Sequence, residues 1–85
     1  MEINLRFFAS VREAVGTTHE TIGVPEGVAS VGDVRALLVA RGGAWAEALS
    51  AARPLRMACN QVMCAADTAL APGCEVAFFP PVTGG

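Results

Sequence analysis

The side chains that perform most enzyme chemistry are scarce in this chain. There is one histidine, His19, and no lysine, since all six basic residues are arginines. A single histidine with no nucleophile near it does not predict a catalytic triad, and we expect His19 to be exposed. A P-loop is excluded because it requires a lysine. Single, scattered carboxylates such as Asp33 and Asp67 are typical of caps and solvated faces, so no metal site is predicted.

The three cysteines, Cys59, Cys64 and Cys74, lack metal-ligand spacing. We expect them to be small core residues, and the alternative is a reactive thiol. The sequence shows no signal-peptide pattern and no apolar run near the roughly 18 residues of a membrane span. These features predict a cytoplasmic, reduced and soluble protein without a membrane partner.

The size and charge of the chain also limit the classes of function that it can have. The 85 residues are enough for one domain, too small to hold both a nucleotide site and a catalytic cleft. A net charge of −2 provides no basic field for nucleic acid. Because only 16% of the residues are charged, we expect part of the surface to be apolar and to contact another protein.

The remaining candidate chemistry lies at the end of the chain, FFPPVTGG. Two prolines favour an extended exit from the preceding strand, two β-branched residues continue it, and two glycines leave the carboxylate accessible. Fully extended, the tail would span about 20 Å at roughly 3.3 Å per residue. An ordinary frayed terminus is the alternative. The residues of the predicted tail are Pro80, Pro81, Val82, Thr83, Gly84 and Gly85.

A tail of this kind can enter a narrow pocket of another protein. The carboxylate of Gly85 is a poor electrophile until it is activated, for instance as an acyl-adenylate. Because nothing in the chain predicts an ATP site, that activation must come from a partner.

Two strands and a short helix are predicted to come first. Alternating apolar and polar residues predict a half-buried strand over residues 2–9. Ser10 and Glu13 fit a capping box, which predicts a helix that begins at Ser10 and ends at Gly16. β-Branched residues over 17–24 predict a second strand, antiparallel to the first.

The main helix is predicted over residues 31–41, where Ser30 is the expected cap and a glycine pair the end. Trp45 and Leu49, four residues apart, predict a shorter helix on the same core.

Three strands are predicted in the second half, over residues 55–59, 62–65 and 75–79, with a turn at Asn60-Gln61 between the first two. This element order predicts an α+β fold, in which a mixed sheet packs on one main helix. The ubiquitin-like β-grasp is the commonest fold with this order.

The two ends of the chain resemble a known family. Residues 75–85, EVAFFPPVTGG, and residues 5–16, LRFFASVREAVG, resemble the small subunit of molybdopterin synthase, the MoaD-type sulfur carriers. Asn60-Gln61 is similar to that family as well. The resemblance extends over the whole chain, and it implies a β-grasp domain over residues 1–79 that carries an extended tail over residues 80–85.

The resemblance also implies a chemical cycle at Gly85. An adenylating enzyme related to ubiquitin-activating enzymes converts the carboxylate to an acyl-adenylate with ATP and magnesium, and a sulfur donor then replaces AMP to leave a thiocarboxylate. The tail enters the large synthase subunit and gives sulfur to cyclic pyranopterin monophosphate. This chain would then bind no cofactor and act as a non-catalytic, sulfur-donating subunit, with a heterotetramer as the expected assembly.

We expect the contact with the large subunit, and in part with the activating enzyme, at an apolar surface. The predicted residues, on short strands near the tail, are Phe8, Met57, Met63 and Phe79, next to Pro80.

Two alternative functions remain open. One is a sulfur carrier for thiazole synthesis or tRNA thiolation, which the FFPPVTGG ending disfavours. The other is a protein modifier that forms isopeptide bonds with target lysines. The absence of lysine excludes lysine-linked chains of this protein but not its conjugation to another.

Overall fold

The computed structural model describes residues 1–81, which form five strands and three helices. No helix in this range is long and apolar enough to cross a membrane. The strands are β1 (Glu2–Phe7), β2 (His19–Gly23), β3 (Arg56–Cys59), β4 (Val62–Cys64) and β5 (Glu75–Phe79). The helices are α1 (Ala9–Val15), α2 (Val31–Val39) and α3 (Gly43–Leu49).

The strands form one mixed sheet in the order β2-β1-β5-β3-β4. The central pair, β1 and β5, is parallel, and the other three pairs are antiparallel. The first and last strands of the chain are therefore neighbours in the middle of the sheet. The predicted α+β fold with a mixed sheet is confirmed.

The core lies between the helices and one face of this sheet. The alternation predicted for β1 is confirmed, since Ile3, Leu5 and Phe7 are buried while the residues between them are exposed. The Phe7 ring packs edge-on against Trp45, with centroids 5.3 Å apart, and stacks on Phe78 at 6.3 Å. Aromatic pairs in these geometries add to the stabilisation from burial.

The predicted start of α1 is wrong. The helix begins at Ala9 and its cap is Phe8, whose side chain makes no capping hydrogen bond, so the capping box of Ser10 and Glu13 does not form. The backbone N–H of Phe8 donates to the Phe78 carbonyl at 3.2 Å, and the Phe8 carbonyl accepts from Arg12 at 3.3 Å. Pairing with β5 therefore fixes where the helix starts. It also ends β1 at Phe7, before the predicted residue 9.

The cap predicted at Ser30 for α2 is confirmed, and Asp33 completes a capping box with it. The Asp33 N–H donates to the Ser30 hydroxyl at 3.1 Å, and the Ser30 N–H donates to the Asp33 carboxylate at 3.2 Å. Hydrogen bonding from the Ala29 N–H lowers the pKa of Asp33 most, followed by that of the Ser30 side chain and then the Ser30 N–H. The helix ends at Val39, two residues before the predicted end. The next turns are closed by hydrogen bonds between residues three apart instead of four, which are typical of helix ends.

The turn predicted at Asn60-Gln61 is confirmed and joins β3 to β4. Both residues have left-handed backbones, with φ of 50° at Asn60 and 67° at Gln61. A two-residue hairpin loop with two positive φ values is a type I′ turn, in which glycine is favoured at the second position. The Asn60 side chain also accepts a hydrogen bond from the Glu75 N–H at 2.9 Å, which ties the turn to β5.

Replacing Gln61 with glycine should stabilise the domain. A left-handed backbone costs a residue with a side chain about 1–2 kcal/mol, whereas glycine loses roughly 0.5–1 kcal/mol through its greater freedom in the unfolded chain. We therefore expect the free energy of unfolding to rise by about 0.5–1 kcal/mol in urea denaturation. Gln61→Ala is the control and should not stabilise. Equal urea midpoints for Gln61→Gly and the wild type would show that the left-handed backbone of Gln61 is not strained.

An ion pair joins β2 to Arg41, two residues after the end of α2. The Arg41 guanidinium donates to both Glu20 carboxylate oxygens, at 3.0 and 2.6 Å, and lies 4.4 Å from the centroid of the Trp45 ring. The hydrogen bond from Arg41 lowers the pKa of Glu20, and Glu20 in turn raises the pKa of Arg41. Both side chains are about one third exposed, so solvent weakens the pair.

The contribution of the Glu20–Arg41 ion pair to the free energy of unfolding should disappear at acid pH. A carboxyl with a lowered pKa stabilises the fold above its unfolded pKa, near 4.3 for glutamate, and loses that contribution as the pH falls through the folded pKa. We expect Glu20→Gln to be less stable than the wild type by at most about 1 kcal/mol at neutral pH, and the gap to shrink as the pH falls below about 4.3 and through the lowered folded pKa of Glu20. Urea denaturation measures both, with Glu26→Gln, at an exposed glutamate, as the control. A gap independent of pH would refute the assignment.

Candidate functional site

The candidate site begins where β5 ends. Pairing on both sides buries the middle of β5 and leaves Phe79 half-buried at its end. Pro80 and Pro81 come directly after it and are half-buried as well. Proline has no N–H to continue a strand ladder, so the strand ends at Phe79, as predicted. The last pair that β5 makes with β3 joins Phe79 to Arg56.

The rest of the predicted tail, Val82, Thr83, Gly84 and Gly85, lies outside the described residues. The extended tail, its separation from a domain over residues 1–79 and the role of Gly85 stay predictions.

An apolar surface lies beside the last residues of β5, on the sheet face opposite the helices. We call it the tail-root patch, and its members are Phe8, Ala58, Met63, Ala77 and Phe79. Ala58 pairs with Ala77 on one side and with Met63 on the other, so these three side chains stand next to one another. The rings of Phe8 and Phe79 meet edge to face, with centroids 6.2 Å apart.

The exposure of the patch is concentrated in two of its residues. Phe8 is 40% exposed and Met63 is 51% exposed. Ala58 and Ala77 are buried although they lie on the open face, because their short side chains sit below longer neighbours. The patch is therefore a shallow apolar surface with a projecting side chain at each end, a shape that suits a partner's apolar side chains.

The backbone around Phe8 determines where its ring lies. Its hydrogen bond to the Phe78 carbonyl holds Phe8 in line with β1, and a left-handed Ala9, with φ of 51°, then turns the chain into α1. The Arg6 guanidinium stands 5.7 Å from the centroid of the Phe8 ring and 3.9 Å from the Glu75 carboxylate. Charged groups therefore border the patch on the β1 side.

Met57 does not belong to this surface. We expected an outward position, but Met57 is 8% exposed and lies in the core cluster. It pairs with Phe78 and Cys64, whereas its neighbour Ala58 pairs with Met63. Because successive strand residues face opposite sides of a sheet, Met57 and Met63 cannot both point outward in this register. The expected position of Met57 is wrong, and the exposed position of Met63 is confirmed.

The sequence did not predict Ala58 and Ala77 as members of this surface. Alanine carries no chemical group that marks a binding surface, and both residues stand in nearly continuous apolar runs. Strand register, which depends on long-range pairing, reveals their position.

A groove of about 500 Å³ lies on the helix side of the same region. Its apolar lining includes Val11, Leu55, Pro80 and Pro81, so the first two residues of the predicted tail form part of the wall of this groove.

The other candidate residues do not form a site. His19 is exposed, as predicted, and its Nδ1 lies 3.1 Å from the Thr18 hydroxyl. Among residues 1–81, no group of three histidine, cysteine or acidic side chains could hold a metal ion. The chemistry suggested by the fold therefore concerns the end of β5 and the residues after it.

Known proteins are similar to this chain in sequence and in fold. The ThiS family matches residues 5–85. The molybdopterin synthase sulfur carrier subunit of Escherichia coli is 43% identical over 83 residues, and the subunit of the same name from Haemophilus influenzae is 40% identical over 83 residues. Each match spans 98% of this chain and 99% of the relative.

Among solved structures, small archaeal modifier protein 1 (SAMP1) of Haloferax volcanii superposes with a TM-score of 0.76 at 30% identity, covering 100% of both chains. The complex of subunits 1 and 2 of molybdopterin-converting factor from Helicobacter pylori contains a chain with a TM-score of 0.68 at 22% identity, again covering 100% of both chains. The second likeness concerns the fold alone. Together these likenesses confirm the ubiquitin-like β-grasp fold. The chain belongs to the ThiS family, and its predicted resemblance to the small subunits of molybdopterin synthase is confirmed.

Proposed function

We propose that this chain is the sulfur carrier subunit of a molybdopterin synthase. The observation that carries the proposal is the similarity, over nearly the whole chain, to two curated relatives with that name. The ending EVAFFPPVTGG supports it, because β5 supplies the first five of these residues and holds them in the middle of the sheet.

The chemistry we propose takes place at the carboxylate of Gly85. An adenylating partner uses ATP and magnesium to join the carboxylate to AMP and releases pyrophosphate. Sulfur from a donor enzyme attacks the acyl carbon and displaces AMP, which leaves a thiocarboxylate. Inside the large synthase subunit, the thiocarboxylate sulfur is transferred to cyclic pyranopterin monophosphate. This chain binds neither ATP nor magnesium itself.

In this scheme the role of the domain is to position the tail. β5 is hydrogen-bonded to β1 on one side and to β3 on the other, so the point from which the tail departs is fixed relative to the whole sheet. Two prolines at that point restrict the directions that the next residues can take. Restricting a reacting group in this way lowers the entropy lost when it meets its substrate.

We further propose that the tail-root patch contacts the large subunit. The patch adjoins the residue from which the tail departs, so a partner that encloses the tail also meets Phe79 and, beside it, Phe8. The Helicobacter pylori complex supports a partner of this kind, since it joins subunits 1 and 2 of molybdopterin-converting factor. Contacts of ordinary size bury roughly 800 Å² on each partner.

The similarity to SAMP1 favours a second candidate, a protein modifier. A modifier would form an isopeptide bond between its terminal carbonyl and a lysine amine of a target protein. A sulfur carrier would instead accumulate a thiocarboxylate. Intact-mass measurement of the protein purified from its own cells separates the two, because replacement of one oxygen by sulfur identifies the carrier.

Deleting Gly85 should abolish sulfur transfer without unfolding the domain. The deletion shortens the tail by about 3.3 Å and moves the carboxylate away from the activating site. We expect no thiocarboxylate and no pterin product in an assay with the purified large subunit and activating enzyme. An added alanine after Gly85 should have the same effect. Circular dichroism is the folding control for both variants, and a deletion variant that turned over like the wild type would refute the carrier function.

Aspartate in the tail-root patch should weaken binding to the large subunit. Met63→Asp and Phe79→Asp each place a charge on an apolar contact, and we expect at least about a tenfold loss of affinity in calorimetry, or 1.4 kcal/mol. Val62→Asp is the matched control, because Val62 is 67% exposed on the same strand but faces the other side of the sheet. Unchanged affinity for Met63→Asp, or an equal loss for Val62→Asp, would show that the partner binds elsewhere.

A further inference from the structure

The exposed charges of the domain are divided between the two ends of the sheet. β1 and β5 are parallel, so their last residues lie at the same end, which we call the tail end. β3 begins at this end, because its first residue, Arg56, pairs with Phe79. Helix α1 lies there as well, since it joins the end of β1 to the beginning of β2.

Four of the six arginines lie at the tail end, and we call them the arginine rim. Arg56 is opposite the last residue of β5, and Arg53 lines the groove beside the first two residues of the predicted tail. Arg12 is on α1, and its N–H donates to the Phe8 carbonyl. Arg6 lies next to the last residue of β1. Arg12, Arg53 and Arg56 are exposed, and the side chain of Arg6 is 47% exposed.

Four exposed acidic residues lie at the opposite end. Glu2 is the first residue of β1, and Glu26 follows the end of β2, which pairs with Glu2. Asp33 is in the first turn of α2, and Asp67 lies beside that turn, because the carbonyls on either side of Asp67 accept hydrogen bonds from N–H groups of the turn. The same segment continues to Gly73, whose N–H donates to the Glu2 carbonyl at 2.7 Å.

The arginines outside the rim are already bonded within the domain. Arg41 forms the ion pair with Glu20, and the Arg35 guanidinium donates to three backbone carbonyls at 2.5 to 2.7 Å. In contrast, the side chains of Arg12 and Arg56 make no hydrogen bond or ion pair within residues 1–81. Their charges are therefore available to a partner, and replacing them removes no contact from the described part of the chain.

Three acidic residues accompany the arginine rim, namely Glu13, Glu47 and Glu75, whose carboxylate lies 3.9 Å from Arg6. The tail end therefore holds four arginines against three acidic residues, whereas the opposite end holds four acidic residues and no guanidinium of the rim. The two ends are about 16 Å apart along β1, at roughly 3.3 Å per residue. Exposed charges farther apart than about 8 Å are largely screened at physiological ionic strength. A partner at the tail end thus meets a positive surface, although the net charge of the chain is −2.

We propose that the arginine rim steers the tail toward an acidic surface around the pocket of the large synthase subunit. The inference rests on the proposed function, which supplies this partner. An acidic partner attracts the tail end and repels the opposite end, so the domain is turned correctly before contact. Charges at the edge of an interface act mainly on the rate of association. The apolar tail-root patch, which lies inside the rim, would mainly determine the rate of dissociation.

The experiment measures association of the full chain with the purified large subunit at increasing salt concentration. Between about 0.01 and 1 M salt, the screening length falls from roughly 30 to 3 Å. We expect the association rate constant of the wild type to fall at least about tenfold over this range, while the dissociation rate constant changes little.

Charge variants of both signs identify the rim. Arg12→Gln combined with Arg56→Gln should slow association at least about threefold at low salt and match the wild type at high salt. Glu13→Gln combined with Glu47→Gln removes negative charge from the same end and should speed association. Circular dichroism and urea denaturation check that each variant is folded.

Glu26→Gln combined with Asp67→Asn is the control at the opposite end and should not slow association. The proposal is overturned if association of the wild type does not slow with salt, if the arginine variant acts through dissociation alone, or if the control slows association equally. In each of these outcomes the large subunit still binds, so the carrier function stands. A wild type that does not bind the large subunit at all would refute the carrier function and this proposal together.

Discussion

The parallel pairing of β1 with β5 holds the sheet together. Leu5 lies beside Val76 and Phe7 beside Phe78, and all four side chains are buried against the helices. Without this pairing, the sheet would separate into the antiparallel pair of β1 and β2 and a three-stranded piece made of β5, β3 and β4. Two paired strands alone are at best marginally stable in water. The core, the turn into α1 and the departure of the tail all require this contact between the two ends of the chain.

The same register determines which residues face outward. Side chains alternate along a strand, so a slip of one residue would exchange the two faces of the sheet. The pairing that buries Met57 and Phe78 is also the pairing that sets Ala58 and Ala77 on the open face beside Met63. The stability of the core and the shape of the tail-root patch are therefore properties of one register, and a residue in either can affect both.

Local signals in the sequence predicted the local structure well. The alternation in β1, the cap at Ser30 and the turn after Cys59 depend on neighbours within a few positions. Predictions failed where pairing between distant parts of the chain determined the structure. β3 buries residues on both faces, so no alternation marked Met57 as inward. The start of α1 depends on a bond from Phe8 to β5, which no pattern near Ser10 reveals.

The central position of β5 has a mechanical consequence. A pull on the residues after Phe79 acts along β5, in the direction of the strand axis. The neighbouring strands run alongside it over their whole paired lengths, so the load falls on many hydrogen bonds at once in shear. A strand at the edge, peeled from one end, would lose its bonds one after another. Resistance to force is governed by the rate of unfolding. A domain built in this way can bear a pull on the residues after Phe79 while its sheet stays intact.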